Sequence, residues 1–297
     1  MAQPHKGLGI FFGIIGMCLF AGTLPATRVA LTGFEPVFLT AVRATIAGAT
    51  GLLVLLATRR SIPPPADRLG LIAGALCSVL AFPLLAAFAL ETVPAGHGGV
   101  VQGILPLATA IAAAIFAHER PSLGFWLASL VGAAIVIVFV FRRNAGGAPS
   151  AGDIFLVGTV VAGALGYTFA GRLAARMPGW EVISWQVVVL LPVAALTTFF
   201  LWPTDKSAVS TASLAGLGYV AFISQYAAFV VFNAAMAIGG IARVGQIMLL
   251  QPFVIVALAL PINGEPITLE TIVFALAVVV TVFIGQWARV GSPMHKK

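Results

Sequence analysis

The side chain best placed to do chemistry in this chain is Arg43, and its position is what matters. It lies about seven residues inside an apolar run that opens at Pro36, roughly 10 Å along a helix at the ordinary rise per residue. An arginine facing lipid is costly, so the guanidinium must face a bundle interior or a water-filled space. There it could grip a carboxylate through two parallel hydrogen bonds, or serve as a structural partner for backbone carbonyls; residue type and depth allow both. No phosphate-binding loop, dinucleotide fingerprint, HExxH or Gly-x-Ser-x-Gly elbow accompanies it. His5, His97, His118 and His295 are expected in tails or turns, and Cys18 and Cys77 sit in apolar runs as small buried residues. The expectation is no enzyme, no metal and no cofactor.

Two prolines form the next constellation. The stretch from Pro94 to Ser122, PAGHGGVVQGILPLATAIAAAIFAHERPS, has a counterpart in GGIARVGQIMLLQPFVIVALALPINGEPIT, which ends at Thr268. Pro106 recurs as Pro252 and Glu119 as Glu265, each 146 residues downstream. A proline within a helix removes one backbone hydrogen bond and clashes with the preceding turn, so each copy is a hinge, a cavity wall or a kink satisfied by its neighbours. Gly96, Gly98 and Gly99 open the first copy and Gly239 and Gly240 the second. They serve as hinges or as ordinary turns. Paired, proline-broken apolar segments point to a binding site at the interface of two membrane repeats.

Polar and aromatic residues at helical spacing sketch the wall of that site. Gln225, Phe229, Phe232, Asn233 and Met236 share one stripe, Met248, Gln251 and Ile255 another, Gln102, Pro106 and Thr109 a third, and Ser78, Phe82 and Leu85 a fourth. Ser184, Trp185, Gln186 and Tyr167 could also face inward. Any single amide could equally be interhelical glue. Trp126, Trp180, Trp202 and Trp287 read as interfacial belt residues. Glu91 and Glu265 lie at helix ends, as proton-coupling groups or as solvated carboxylates. Aromatic walls with few polar anchors suit a neutral or amphipathic organic solute better than a bare ion.

These residues need elements to hold them, and composition says which. Mean hydropathy is +1.08, with 60% hydrophobic and 8% charged residues, far below the roughly 25% charge of a soluble domain. At roughly 20 apolar residues per crossing the sequence predicts ten spans: Leu8 to Leu31, Pro36 to Ala57, Leu69 to Glu91, Gly98 to Ala117, Ser122 to Phe141, Asp153 to Ala175, Trp180 to Leu201, Leu214 to Ala237, Gly240 to Ile262 and Thr268 to Arg289. Leu8 to Leu24 imitates a signal peptide, but with nine spans behind it the run reads as the first span. The strand-like alternation of a transmembrane barrel is absent.

The net charge of +7 is spread over helix ends, which speaks for topology and against nucleic acid. With the N-terminus inside, Lys6, Arg59, Arg60, Arg68, Arg120, Arg172, Arg176, Arg243, Arg289, Lys296 and Lys297 gather on the inner side, against Arg28, Arg142, Arg143 and Lys206 outside. This asymmetry places both termini in the cytoplasm, although Arg142 and Arg143 depart from it locally. RRNAGGAPSAG, residues 142–152, has linker composition and divides the chain into repeats at 1–145 and 150–290, with a tail at 291–297. Gly22, Ala26, Arg28 and Ala30 match Gly166, Ala170, Arg172 and Ala174, and Ser78 matches Ser224. Five spans per half make the second half enter the membrane upside down. The expected fold class is an all-α polytopic membrane protein, ten transmembrane helices as two inverted five-helix repeats.

Two such halves, each with a proline-broken helix, a thirteen-residue step to a Glu-Pro-type turn (Glu119-Arg120-Pro121, Glu265-Pro266) and a final helix, together with Arg43 in the second span, resemble the drug/metabolite transporter superfamily of the EamA type. Within it the chain is most similar to bacterial inner-membrane aromatic amino-acid exporters. The resemblance implies alternating-access export of amino acids, aromatic and other neutral ones foremost, or related small metabolites. Alternatives are a multidrug or nucleotide-sugar-type carrier of the same superfamily, or a non-transporting scaffold; a phosphate-bearing solute would call for more than one deep basic residue. The expected partners are a small-molecule substrate and the bilayer, with no nucleic acid, the chain acting as a monomer. The expected location is the bacterial inner membrane. Cysteines placed one at a time near each terminus should label from the cytoplasmic side only; labelling from opposite sides would end the even-span topology.

Overall fold

The computed structural model describes residues 6–116, 122–143, 149–174, 176–203, 207–239 and 247–288. Glu119 and Gly240 therefore lie outside the described residues, as do Arg243 and Lys206. Every regular element among the described residues is helical. In chain order the helices are α1 (Gly7–Ala30), α2 (Pro36–Ala57), α3 (Pro65–Thr92), α4 (Ala95–Phe116), α5 (Leu123–Arg143), α6 (Ala151–Ala174), α7 (Gly179–Phe200), α8 (Thr211–Ala235), α9 (Met248–Asn263) and α10 (Leu269–Ala288). Seven of them, all but α5, α9 and α10, are long and apolar enough to cross a membrane, and those three carry shorter apolar stretches.

Local chemistry sets the ends. Pro36 and Pro65 occupy first-turn positions, where the missing N–H costs nothing. Ser210 and Ser213 close a reciprocal capping box at the start of α8. At the far end of α9, Gly264 adopts φ +68, and the N–H groups of Gly264 and Glu265 return to the carbonyls of Leu260 and Ala259. This left-handed glycine turn ends the helix and aims Glu265 sideways. α3 starts at Pro65 rather than Leu69 and α4 at Ala95 rather than Gly98, because proline seeds the first turn before the apolar run begins.

The outside of the bundle is apolar. Leu53, Leu130 and Phe199 are 68%, 68% and 75% exposed, an arrangement that only lipid tolerates on this scale. Inside, packing and small residues do what the hydrophobic effect cannot do in a bilayer. α2 lies on α7 through Gly51, where a Cβ would come within 2.6 Å of Val187 Cγ2. Small and branched apolar side chains of α4, α5, α6 and α10, with Phe139, Leu107 and Leu156 at the centre, form the largest core.

The pairing of helices repeats itself. α1 packs on α8 as α3 packs on α6, α1 on α9 as α6 on α4, and α2 on α8 as α7 on α3, while α2–α7, α4–α9 and α5–α10 pair across. Exchanging each helix for the one five places later leaves this set unchanged.

Five helices are interrupted, and the interruptions also come in mates. α3 is π-helical over Leu76–Ala81 and α8 over Tyr219–Ala227. α4 breaks at Gly103 and Ile104, and α9 opens with a 3-10 turn, Met248–Leu250. α1 breaks at Gly22, which the apolar run from Leu8 to Leu31 does not announce. Gly22 and Gly166 have one job in the two halves: each leaves room for the π-helical segment opposite. A Cβ on Gly22 would sit 2.2 Å from the Tyr219 hydroxyl, and one on Gly166 would sit 2.1 Å from Ser78 Oγ.

Since the Ser78 hydroxyl must turn away and Ser78 Cβ, 3.3 Å from the added methyl, must give slightly, Gly166→Ala should destabilise the detergent-solubilised protein by about 1 kcal/mol, the low end of the usual cost of overpacking. Gly171→Ala, which meets nothing within 4 Å, should leave the unfolding midpoint unchanged. Equal midpoints for the two variants would show that the π-helical turn does not depend on this contact.

Candidate functional site

The interruptions converge. A cavity in the bundle is lined by Phe20 and Thr23 of α1, Arg43 of α2, Ser78 and Phe82 of α3, Gln102 and Leu105 of α4, Gly163 and Tyr167 of α6, Ser224, Gln225 and Phe229 of α8, and Gln251 of α9. Thr23 follows the break at Gly22, Ser78 lies in the π-helical segment of α3, Gln102 and Leu105 flank the break in α4, Ser224 and Gln225 lie in the π-helical segment of α8, and Gln251 follows the 3-10 turn of α9. π-Helical turns concentrate at functional sites because the extra residue re-aims side chains.

Proline supplies part of the cause. Pro106 has no N–H to offer the carbonyl of Gln102, and the chain there tightens: Gly103 N–H reaches the carbonyls of both Gly99 and Val100. Pro252 likewise cannot serve Met248, whose carbonyl is met instead by the N–H of Gln251. The two breaks touch, since a Cβ on Gly103 would lie 3.2 Å from Pro252 Cγ.

The polar groups round the cavity fall into two sets. Thr23 and Ser224 share a 2.8 Å hydroxyl hydrogen bond, and Gln102 Nε2 donates weakly to Thr159 Oγ1 at 3.4 Å. Arg43 and Gln225, by contrast, are 3% and 1% exposed, and the Arg43 Nε and both amide atoms of Gln225 are buried without a partner. Such groups cost about 1–3 kcal/mol each in a folded protein. Aromatic rings complete the wall: Phe20 meets Phe229 edge to face at 4.8 Å, and Tyr167 lies 6.3 Å from Phe229.

Of the wall residues expected from spacing, Arg43, Ser78, Phe82, Gln102, Tyr167, Gln225, Phe229 and Gln251 surround this space. Trp185, Gln186, Asn233 and Met248 do not line it. Trp185 packs with Leu71, Leu173 and Val182, and the amide of Gln186 lies against Gly74 of α3. Asn233 donates to the carbonyl of Gly179 at 3.0 Å, and Met248 packs beside Phe20 and Phe232. Each sits on a face turned away by the local helix irregularity or taken up by a neighbouring helix. Phe20, Thr23, Leu105, Gly163 and Ser224 were not expected. The repeat held the signal for three of them, because Ser224, Thr23 and Leu105 are the internal mates of Ser78, Tyr167 and Gln251.

Two of the glycines expected as hinges or turns make contacts between helices. Gly99 lets α4 approach α9, a Cβ there meeting Ile255 at 2.7 Å. Gly96 N–H donates to Glu265 Oε2 at 2.8 Å, as Ala95 N–H does to Oε1. Glu265 thus closes the N-terminus of α4 with both oxygens, where the helix dipole favours a negative charge, and Arg28 Nε stands 3.4 Å away. Gly239 lies in the helical stretch Ala228–Gly239. His97, expected in a turn, is in the first turn of α4, and its Nε2 lies 2.8 Å from Asp153 Oδ1 with both side chains 2% exposed. The earlier start of α4 is what buries it.

A bundle of membrane-length apolar helices, with interrupted segments gathered round a small polar cavity, defines a multi-pass membrane protein that handles a solute. The chain belongs to the EamA-like transporter family, which matches residues 7–141 and again 150–285. It is similar to the Bacillus subtilis (strain 168) protein named Uncharacterized transporter YdeK, 39% identical over 270 residues, which is 91% of this chain and 94% of that protein. It also shares its fold with a solved structure described as "Crystal structure of protein", at a TM-score of 0.65 and 20% identity over 96% of this chain and 98% of that one.

Glu265→Ala removes both acceptors from the α4 terminus and should cost about 1–2 kcal/mol, the upper part of the range for a lost cap. Thermal unfolding in detergent would read this as a lowered Tm, with Glu265→Asp falling between. A Glu265→Ala protein as stable as the parent would remove the cap from the account of the fold.

Proposed function

We propose that this protein is a secondary transporter that moves small amphipathic organic solutes out of the cell across a bacterial inner membrane, with amino acids bearing aromatic or other neutral side chains foremost. In this reading the ten helices are ten spans, built as two five-helix repeats of opposite orientation with both termini in the cytoplasm. The cavity round Arg43 and Gln225 is the solute's site. Alternating access proceeds by rocking the halves about the crossed breaks at Gly103 and Pro252.

The observation that carries the reading is Gln225: a whole amide, 1% exposed, with neither its donor nor its acceptor engaged. A packed scaffold gains nothing by burying such a group, whereas a solute that both accepts and donates would complete it. Support for rocking comes from the principal helix pairs, a set unchanged when the halves are exchanged, and from the interruptions that fall in mates. Pro106 and Pro252 loosen the two helices that cross, so the hinge lies where the backbone is already short of hydrogen bonds.

A stability and function pair tests this. Gln225→Leu removes two unsatisfied polar atoms at similar volume, so it should raise the melting temperature, since an apolar replacement of an unpaired buried group is neutral or stabilising. The same variant should lower the efflux of labelled phenylalanine or leucine from proteoliposomes at least tenfold. If efflux were unchanged in the Gln225→Leu protein, the cavity would not be the solute's path.

A further inference from the structure

The charges of the chain are distributed so that one sign is missing from its interior. Asp and Glu number 9, and each can be placed. Asp67, Asp153, Glu181 and Glu270 stand in the first turns of α3, α6, α7 and α10. Glu35 precedes α2 and Glu91 belongs to the last turn of α3, both exposed. Glu265 follows α9, and Glu119 and Asp205 fall by sequence between α4 and α5 and between α7 and α8. Among the described residues no carboxylate lies midway along a helix.

Five of those near the ends are engaged: Glu265 with Arg28 and the α4 terminus, Asp153 with His97 and Ser150, Glu181 with Arg60, Asp67 with Arg176, and Glu270 with Arg142. Arg43 is the exception in the other direction. It is the one formal charge among the residues lining the cavity, and its Nε is buried with no acceptor.

We infer that the solute of this cavity carries one net negative charge: a planar carboxylate seated on Arg43, beside a hydrogen-bonding group at Gln225, with an apolar or aromatic body against Phe20, Phe82 and Phe229. This rests on the cavity being the solute's site and revises the solute named for it, placing a carboxylate monoanion ahead of the zwitterionic amino acid of the same shape. A monoanion cancels the buried guanidinium, and the planar fork of arginine matches a carboxylate. A zwitterion brings an ammonium into the same space, where no carboxylate stands to receive it, and an unpaired charge is expensive away from water. A dianion would leave one negative charge unmatched for the same reason. A cationic amine would meet Arg43 directly. The walls supply hydroxyls, amides and aromatic faces, which suit the body of an organic acid better than an inorganic anion.

The test compares three probes of one shape on the full chain in detergent at neutral pH: 3-phenylpropionate, phenylalanine and phenethylamine, followed by thermal shift and calorimetry. Ligands that bind the folded form raise the melting temperature by mass action. The expected order is 3-phenylpropionate at least tenfold tighter than phenylalanine, with no binding of phenethylamine. Arg43→Gln should bring the first two within about twofold, and Arg43→Lys, which keeps the charge but loses the fork, should preserve the order with weaker binding.

If phenylalanine binds as tightly as 3-phenylpropionate or more so, or if the anion preference survives Arg43→Gln, the inference is overturned. Should Arg43→Gln fail to fold, the order of the three probes on the parent protein and on Arg43→Lys decides alone. Flux in proteoliposomes separates the two readings. Phenylalanine moving while 3-phenylpropionate does not would leave the transporter reading standing and this one sunk, and loss of binding and flux for every probe would sink both.

Discussion

The constraint on which this structure depends is the one lipid places on backbone. A peptide group without a hydrogen bond cannot face hydrocarbon, so a helix in a bilayer can be irregular only where protein or water takes over. Here the breaks in α1 and α4, the π-helical segments of α3 and α8 and the 3-10 turn of α9 all border one cavity. Side-chain and backbone donors make good some of the loss. The Tyr219 hydroxyl donates to the carbonyl of Leu19 beside the break at Gly22, and Gln251 N–H takes the carbonyl that Pro252 abandons. The irregular backbone and the polar cavity are therefore one feature with a single cause.

Ends and middle of the bundle obey opposite rules. At the ends, four ion pairs join a residue of the first family segment to one of the second, Arg28 to Glu265, Arg60 to Glu181, Asp67 to Arg176 and His97 to Asp153, and Arg142, one residue past the first segment, pairs with Glu270. Exposed pairs of this kind contribute little each, but the buried ones fix geometry, as Glu265 does by gripping the first turn of α4. In the middle, polar groups are left incomplete. Arg43 and Gln225 keep hydrogen-bonding capacity that the fold does not use, at the expense of stability.

Much of this was legible beforehand, and the reason differs from feature to feature. Arg43 could be picked out because one cation in an apolar run has few places to go. Pro106 and Pro252 could be paired because the same residue at the same offset is hard to miss in a duplicated chain. The π-helical segments carried no such mark. Leu76–Ala81 is followed by Pro83, whereas Tyr219–Ala227 has no proline near it, so no single residue type encodes the extra residue per turn. Helical spacing alone aims Asn233 and Met248 at the cavity along with Gln225 and Gln251, whereas Asn233 bonds to the carbonyl of Gly179 and Met248 packs beside Phe20 and Phe232.

Hydropathy, the placement of charged residues and the internal repeat were enough to determine that the chain is a helical membrane protein, to outline its helices and to single out one intramembrane cation, because those properties depend on residue type along a line. Which amide faces the cavity and which packs against a glycine was settled by tertiary structure alone. Gln186 and Gln225 are the same residue in similar apolar company, yet Gln186 lies against Gly74 and Gln225 opens on the cavity. The difference arises from the extra residue in the π-helical turn of α8 and from which helix happens to stand opposite, and neither is a property of the local sequence.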